Sequence, residues 1–268
     1  MIDRGKHNVL GIQIDAVDYE AAAERIIGAA KARRPMAVSA LAVHGVMTGV
    51  VDAVHRGRLN EFDLLVPDGQ PVRWALNLLH RTRLADRVYG PTLMLKTCAR
   101  AAGEGLPIFL YGSTTEVLAG LRGNLLRRFP PLRVAGVRPS RFRRLSATER
   151  DETVAVIQAS AAAISFVGLG CPRQEVWAYE FRQALSMPVV AVGAAFSFHA
   201  SDRPQAPQFL QDWGLEWLFR FVQEPARLWK RYLLLNPLYL SLLVAQLMRL
   251  HPFDPRTGSR PTEEILYG

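Results

Sequence analysis

The residues best suited to chemistry lie in the stretch 164–175, which reads ISFVGLGCPRQE. β-Branched and aromatic residues lead into Gly168 and Gly170, and polar side chains follow. This order predicts a buried strand, a tight turn and a helix that starts at Pro172. Free N–H groups at a helix start favour a phosphate or a sugar-nucleotide diphosphate. The glycines can equally be structural, and the polar side chains can equally cap the helix.

A second candidate is Asp68, which lies in a loop with Pro67, Gly69 and Pro71 after a predicted strand. The prolines and the glycine make this loop rigid, and open α/β sheets bind ligands at the carboxyl ends of their strands. A carboxylate there can act as a general base, for which we expect partial burial. Asp-Gly is also common in turns, so Asp68 can instead be a turn residue or a helix cap.

A third candidate loop is Gly112-Ser113-Thr114-Thr115, which follows the apolar stretch 106–111. Its hydroxyl groups can contact a ribose or a phosphate. Serine and threonine are also good N-caps for the helix that Glu116 begins, and capping is the favoured interpretation.

The elements that position these loops alternate between strands and helices. Residues 9–14 alternate apolar and polar side chains and predict a short strand. The pattern as a whole predicts an α/β fold with an open, mostly parallel, Rossmann-like sheet and helices on both faces, which occupies residues 1–205. The other predicted elements are a helix after Asp18, a strand at 36–43, a helix carrying Val46, Met47, Val50, Val51 and Val54, strands at 62–66, 106–111, 132–139 and 188–192, and a helix capped by Ser146 and Glu149.

The composition limits which cellular environments and which binding partners are compatible with the sequence. The formal net charge of +9 indicates an acidic partner, such as nucleic acid, anionic lipid or a phosphorylated substrate. Cys98 and Cys171 are far apart and lack metal-ligand spacing, which favours a reducing compartment over a disulfide framework or a zinc site. The N-terminal residues have no apolar signal-peptide core, so we expect a cytoplasmic protein.

The C-terminal part changes character. Residues 206–231 mix tryptophans with Arg220, Arg227 and Arg231, and residues 232–250 are mostly apolar. A spanning helix needs about 20 uninterrupted apolar residues, and Pro237 and several polar residues argue against one. A helix in the membrane surface and a packed amphipathic helix pair both stay open. We therefore predict a basic, membrane-proximal helical appendage at 206–250 and a loose tail at 251–268.

Taken together, these loops resemble the WecG/TagA/CpsF family, glycosyltransferase family 26. The resemblance runs from about residue 9 to residue 232. It implies an inverting bacterial transferase that moves a sugar from a UDP-sugar to a polyprenyl-diphosphate-linked saccharide, in exopolysaccharide, teichoic acid or common antigen type synthesis. The matching blocks, in order, are VPDGQPVRWAL, RVYGPTLM, IFLYGSTTEV, FVGLGCPRQE, VVAVGAAFSFHA and APQFLQDWGLEWLFRFVQEPARLWKRY.

The resemblance also implies roles for particular residues. The carboxylate proposed as the catalytic base in the family falls on Asp68. The resemblance also implies a cytoplasmic protein that lies peripherally on the inner face of the cytoplasmic membrane. It implies no nucleic-acid partner, and a homo-oligomer stays possible. The residues expected to bind substrate are Arg87, Gly112, Gly168, Gly170, Gln174, Arg220, Arg227 and Arg231.

Two departures from the family pattern concern the donor. Many relatives carry Thr-x-Asn before the second predicted helix, where this chain has Ala40-Leu41-Ala42. Many also carry Phe-Asp after the last strand, where this chain has Phe196-Ser197. Both changes remove polar groups that can touch the sugar or the acceptor, so the donor sugar should not be copied from better-known relatives.

The leaving diphosphate needs a positive partner. No Asp-x-Asp triplet, which holds a divalent metal in many nucleotide-sugar enzymes, occurs in the chain. We therefore expect no metal or other cofactor, with arginines and a helix start neutralising the diphosphate. The tail arginines can alternatively form a solvated or lipid-facing basic surface. If they act in the site, the tail both contacts the bilayer and closes over the diphosphate.

Two other functions are compatible with the fold class. A dinucleotide-dependent oxidoreductase requires Gly-x-Gly-x-x-Gly after the first strand, and the VLGIQID stretch has no such turn. A non-catalytic basic membrane adaptor fits the charge, but it gives no reason for a rigid Pro-Asp-Gly loop beside several strand-end glycines.

Overall fold

The structure, a computed structural model, describes residues 1–200, 206, 207, 210, 213–223 and 225–268. The strands are β1 (Asp3–Val9), β2 (Ile12–Val17), β3 (Met36–Leu41), β4 (Leu64–Pro67), β5 (Ile108–Gly112), β6 (Val134–Arg138), β7 (Ile164–Gly168) and β8 (Pro188–Ala191). The helices of the core are α1 (Tyr19–Lys31), α2 (Val43–Val51), α3 (Ala53–Asn60), α4 (Gln70–His80), α5 (Gly90–Gly103), α6 (Thr115–Arg128), α7 (Ala147–Ala159), α8 (Arg173–Leu185) and α9 (Ala195–His199). The C-terminal region contains α10 (Glu216–Gln223), α11 (Pro225–Lys230), a π-helical turn (Arg231–Leu235), α12 (Asn236–Leu247) and a 3₁₀ turn (Pro255–Thr257).

Six parallel strands form the central sheet in the order β4-β3-β8-β7-β5-β6. Successive strand residues point to opposite faces, so Ala37 and Val189 join one buried cluster while Val38 and Val190 join another. Helices cover both faces, as parallel sheets require: α2, α4 and α8 on the first, α1, α5 and α6 on the second. The predicted fold class is confirmed.

Two local predictions differ from the structure. The strand expected at residues 9–14 is an antiparallel hairpin, because Leu10 and Gly11 both have positive φ and form a two-residue turn between Val9 and Ile12. The single helix expected around residues 46–54 is two helices. Asp52 interrupts it, and its side chain accepts the amide hydrogens of the first turn of α3.

The predicted helix starts agree with the structure more closely. Asp18 caps α1, and Thr114 caps α6. Ser146 and Glu149 form the expected capping box at the start of α7. Helix α8 begins at Arg173, one residue after the predicted start, because Pro172 is its N-cap.

Helix α12 packs on the core through one side only. Tyr239 and Leu243 are buried, and the Gln246 side chain accepts from the Leu10 amide (2.9 Å) and donates to the Asn8 carbonyl (3.1 Å). The other side of this helix exposes apolar side chains to solvent. Among the described residues, no helix combines the length and the apolar character needed to cross a membrane.

The last residues are ordered by the core, unlike the loose tail that the sequence predicts. The Glu180 carboxylate accepts the amide hydrogens of Ile265 (2.7 Å) and Leu266 (2.9 Å), and Leu266 packs against the core. The Gly268 amide donates to the Arg143 carbonyl at 2.9 Å. The apolar residues near the end of the chain therefore act as anchors. Burial raises the pKa of Glu180.

Candidate active site

A cavity of about 790 Å³ opens at the carboxyl edge of the sheet. Ligands of open α/β proteins bind at this edge, where loops from neighbouring strands converge. The volume suits a nucleotide-sized ligand. Its walls come from residues 40–45 at the end of β3, 68–71 after β4, 168–171 after β7, 192–194 after β8, and five residues of the C-terminal region.

Asp68 lies on the cavity wall directly after β4 and is half-buried. Its backbone amide donates to the Leu41 carbonyl at 3.2 Å, which ties the loop to β3. Its Oδ1 accepts the Gly90 amide hydrogen at 2.6 Å, so the carboxylate lies at the N-terminus of α5. Gly90 must be small, because an added Cβ would lie 3.1 Å from the Ala40 Cβ. Asp68 is therefore held in place by two backbone contacts.

Arg87 lines the same cavity as Asp68, although the two residues lie in different loops. Asp68 lies in the loop before α4, and Arg87 lies in the loop before α5. Only 7% of its surface is exposed, and its guanidinium carbon lies 4.2 Å from the centre of the Tyr89 ring. The Tyr89 amide donates to the Tyr19 hydroxyl at 3.0 Å. This stacking pre-organises a permanently charged group that can bind phosphate through two parallel hydrogen bonds.

The glycine turn after β7 provides a further wall. Gly168, Gly170 and Gln174 all line the cavity. The Gly170 amide donates to Gln174 Oε1 at 3.2 Å, so the turn is tied to the first turn of α8. An added Cβ at Gly168 would lie 2.6 Å from the Phe196 ring, which explains why this position needs glycine.

Gly112 does not line the cavity in the described part of the chain. It pairs with Gly168 across β5 and β7 and has a φ of +111°. An added Cβ would lie 3.0 Å from the Gly168 carbonyl carbon. Its geometry gives it a packing role behind the turn, and its contact with substrate stays a prediction.

The predicted tail arginines occupy three elements: Arg220 in α10, Arg227 in α11, and Arg231 at the start of the π-helical turn. Their side chains lie outside what the structure describes. Other residues of the same region, including Trp217 and Leu234, line the cavity. The C-terminal region therefore forms one wall of the site.

Two lining residues, Gln70 and Glu175, were not among the residues predicted to bind substrate. Gln70 directly follows the Asp-Gly pair and is buried, and its Oε1 has no hydrogen-bond partner among the described residues. Glu175 was interpreted with its neighbours as helix-capping or ligand-reading, and it too is buried. Both residues lie in motifs that also contain apolar residues, which suggested burial. This could have marked them as candidates in the sequence, because buried polar side chains need a partner or a function. Ala40, Ala42 and Ser197, the positions that depart from the family pattern, also line the cavity.

One buried ionisable group, His55 on α3, interacts electrostatically with Glu175 of the cavity lining. Burial is the main cause that lowers the pKa of His55 on α3, and the nearby Glu175 charge partly opposes it. In the described residues, no group of three or more His, Cys, Asp or Glu side chains is placed to hold a metal ion.

Comparison with known proteins assigns this arrangement to a family. The model of the glycosyl transferase WecG/TagA/CpsF family matches residues 7–252. The chain belongs to this family. The match begins in β1 and ends beyond α12, so a WecG/TagA/CpsF unit includes both the core and the C-terminal helices, which contribute residues to one wall of the cavity. The resemblance found in the sequence is confirmed, and neither the oxidoreductase nor the adaptor alternative is favoured.

One WecG/TagA/CpsF relative comes from Bacillus spizizenii. It is N-acetylglucosaminyldiphosphoundecaprenol N-acetyl-beta-D-mannosaminyltransferase, and it is 29% identical over 176 residues. The alignment covers 65% of this chain and 66% of the relative, just under two thirds of its length.

Proposed function

We propose that the protein is an inverting glycosyltransferase that moves a sugar from a UDP-sugar to a polyprenyl-diphosphate-linked saccharide during the synthesis of a bacterial cell-surface polysaccharide. The observation that carries the proposal is that Asp68 and Arg87, from two different loops, and Gln174, from the first turn of α8, line one cavity at the carboxyl edge of the sheet. Family membership supports glycosyl transfer, and the name of the Bacillus spizizenii relative supports the type of acceptor.

In this reaction Asp68 is the general base. The acceptor hydroxyl attacks the anomeric carbon from the side opposite the diphosphate, and a new carbon–oxygen bond forms while the bond to the diphosphate breaks. The hydroxyl proton passes to the Asp68 carboxylate. Its Oδ1 is engaged by the Gly90 amide, and this contact orients the carboxylate during the transfer. A base of this kind contributes roughly 10²–10⁴-fold to the rate.

The charge that develops on the departing UDP is met by fixed positive groups. Arg87 supplies a buried guanidinium already stacked on Tyr89. The N-terminus of α8 supplies backbone N–H groups beside the glycine turn. Pre-organised donors such as these stabilise charge with little reorganisation. Arg220, Arg227 and Arg231 complete the phosphate-binding set in this proposal.

The donor sugar need not be that of the relative. Ala40 and Ala42 give the cavity an apolar wall at the end of β3, beside the Asp68 loop. An added Cβ on Gly69 would lie 3.7 Å from the Cα of Ala42, so the two loops pack closely. A wall without side-chain hydrogen-bond donors cannot select a polar substituent on the sugar as a threonine and an asparagine can.

The C-terminal region binds the cytoplasmic membrane surface in this proposal. Its last helices expose a set of apolar side chains, the apolar tail face: Leu233, Leu234, Leu238, Leu240, Val244 and Leu247. Exposed apolar surface on a basic protein favours docking on anionic lipid. Since Leu234 also lines the cavity, membrane contact and closure of the site involve the same segment.

The experiment is turnover with a panel of UDP-sugars and N-acetylglucosamine linked to a short prenyl diphosphate, with the product identified by mass spectrometry. Transfer from at least one UDP-sugar is expected. Absence of transfer from every donor, with correctly folded protein and anionic vesicles present, would contradict the proposal.

A further inference from the structure

Hydrogen bonds between buried side chains connect Gln174, on the cavity wall, with strand β3. The Ser39 hydroxyl donates to Glu175 Oε1 at 2.9 Å, and Gln174 Nε2 donates to the same oxygen at 2.8 Å. Ser39 is fully buried, and only 1% of Glu175 is exposed. Gln174 Oε1 in turn accepts the Gly170 amide hydrogen. This series of hydrogen bonds therefore links β3 to the glycine turn after β7.

This arrangement fixes the orientation of the Gln174 amide. Oε1 of Glu175 accepts the hydrogen bonds of both donors, so the Gln174 amide turns its N–H group towards Glu175. The carbonyl oxygen must then face Gly170. In the reversed orientation two oxygen atoms would oppose each other at Glu175, and two N–H groups would oppose each other at Gly170. Glu175 thereby selects one of two sterically similar amide positions.

The same amide contacts the strand-end glycine of β8. An added Cβ on Gly193 would lie 3.1 Å from Gln174 Oε1, and Gly193 has a φ of +54°. Gln174 thus lies between the turn after β7 and the turn after β8, both of which line the cavity. A change in its orientation would disturb both walls.

A buried glutamate at position 175 is expected to reduce the stability of the fold. Burying a carboxylate is unfavourable unless its charge and its hydrogen bonds are compensated. Its position in the first turn of α8 and two donors to Oε1 provide part of this compensation. Its Oε2 has no hydrogen-bond partner among the described residues. A well-packed apolar residue would serve stability alone, so the carboxylate points to a role in the site.

We infer that Glu175, supported by Ser39, is a positioning residue for glycosyl transfer that acts through Gln174. It holds the amide in one orientation, and with it the turn at 168–170 that receives the departing diphosphate. This inference rests on the proposed function, in which Gln174 contacts the substrate.

The kinetic test compares E175A, Q174A, the double variant and E175Q. We expect E175A and Q174A each to lower kcat/KM roughly 10- to 100-fold, the effect of losing one charge-assisted hydrogen bond. The double variant should be no worse than Q174A, because the two residues act in series. E175Q should lose less than about threefold, since its carbonyl oxygen can accept the same two hydrogen bonds. Additive losses, or an E175Q as weak as E175A, would overturn the inference.

A second readout does not depend on catalysis. Amide hydrogen exchange at Gly170 should be faster in E175A than in the wild type, and unchanged in E175Q. The matched control is E180A, which removes a buried carboxylate from the same helix on the side of the C-terminal residues; it should leave both kcat/KM and Gly170 exchange unchanged. Unaltered exchange in E175A would contradict the positioning role. If the wild type transfers no sugar, the proposed function fails, and the exchange result alone decides the role of Glu175.

Discussion

The two walls of the cavity are built in different ways. On the core wall, Asp68 and Gln174 follow buried strands and are each held by a backbone N–H group. On the tail wall, Trp217 is 37% exposed and Leu234 is 60% exposed, although both line the cavity. The core wall is therefore pre-organised, whereas the tail wall keeps apolar surface available for another contact.

This difference matches two separate requirements of the proposed reaction. A base and a phosphate site must be placed to within about half an ångström, which rigid elements achieve best. A long lipid substrate must enter and leave, which favours a wall that can move. The comparison predicts that substitutions on the core wall affect the chemical step, while substitutions on the tail wall affect the lipid.

The largest effect is expected on the core wall at Asp68. D68N keeps the size of the side chain and an oxygen that can accept from Gly90, but it removes the carboxylate that we propose as the base. We expect kcat to fall roughly 10²–10⁴-fold. The affinity for the UDP-sugar, measured by calorimetry, should change little. An unchanged kcat would remove Asp68 from the role of base.

Arg87 should give the next largest effect. R87A removes the buried guanidinium from the proposed diphosphate site, and kcat should fall roughly 10²–10³-fold, as for other lost transition-state donors. R122A, which removes an exposed arginine on α6, is the control and should retain activity. Equal effects of the two variants would show that Arg87 contributes only overall charge.

The tail wall should show a smaller and more selective effect. L240E/V244E places charges on the apolar tail face at positions four residues apart, without touching the cavity lining. We expect binding to anionic vesicles to weaken at least about tenfold, since each apolar side chain contributes about 1.5–3 kcal/mol when buried. Transfer to a long-chain acceptor should fall with it.

Two controls separate membrane binding from damage to the site. Transfer to a short, water-soluble prenyl acceptor should be retained in L240E/V244E. V156E, on an exposed apolar position of α7, should leave vesicle binding unchanged. Loss of transfer to both acceptors would mean that the tail wall serves the chemistry itself.

The smallest effect concerns a surface region that neither wall contains. A hydrogen bond from Arg143 and the Ser146 backbone amide lower the pKa of Glu149 to about 2. A lowered carboxyl pKa contributes stability that is complete above the unfolded value, near 4.5, and is lost as the pH falls towards 2. The Tm of E149Q should therefore be lower than that of the wild type at pH 6, and the two should converge below pH 3. A constant difference across this range would contradict the assignment.

Local sequence patterns predicted the fold class, a helix cap and part of the core wall. Alternation of apolar stretches and glycine turns was sufficient for the α/β class. The capping box of Ser146 and Glu149 was recognised because capping depends on neighbouring residues. The Asp68 loop and the stretch that contains Gln174 were found from their residue types, whereas Arg87 was found through family resemblance. The hairpin turn at Leu10-Gly11 was missed, because a leucine with positive φ gives little signal in a sequence.

The remaining features depend on contacts between distant parts of the chain. Strand β8 lies between β3 and β7, and the sequence did not predict this order. This order brings Ser39 to Glu175, 136 residues away. The anchoring of the C-terminal residues on Glu180 likewise depends on a partner about 85 positions earlier. Local propensity contains no information about such pairings.

The most direct test of the central claim is the anomeric configuration of the product in the first turnovers, read by NMR. Direct attack by an acceptor hydroxyl that Asp68 deprotonates predicts inversion, so an α-linked UDP-sugar should yield a β-linked product. Retention of configuration would require a covalent sugar–enzyme intermediate or attack from the same face, and it would contradict the account.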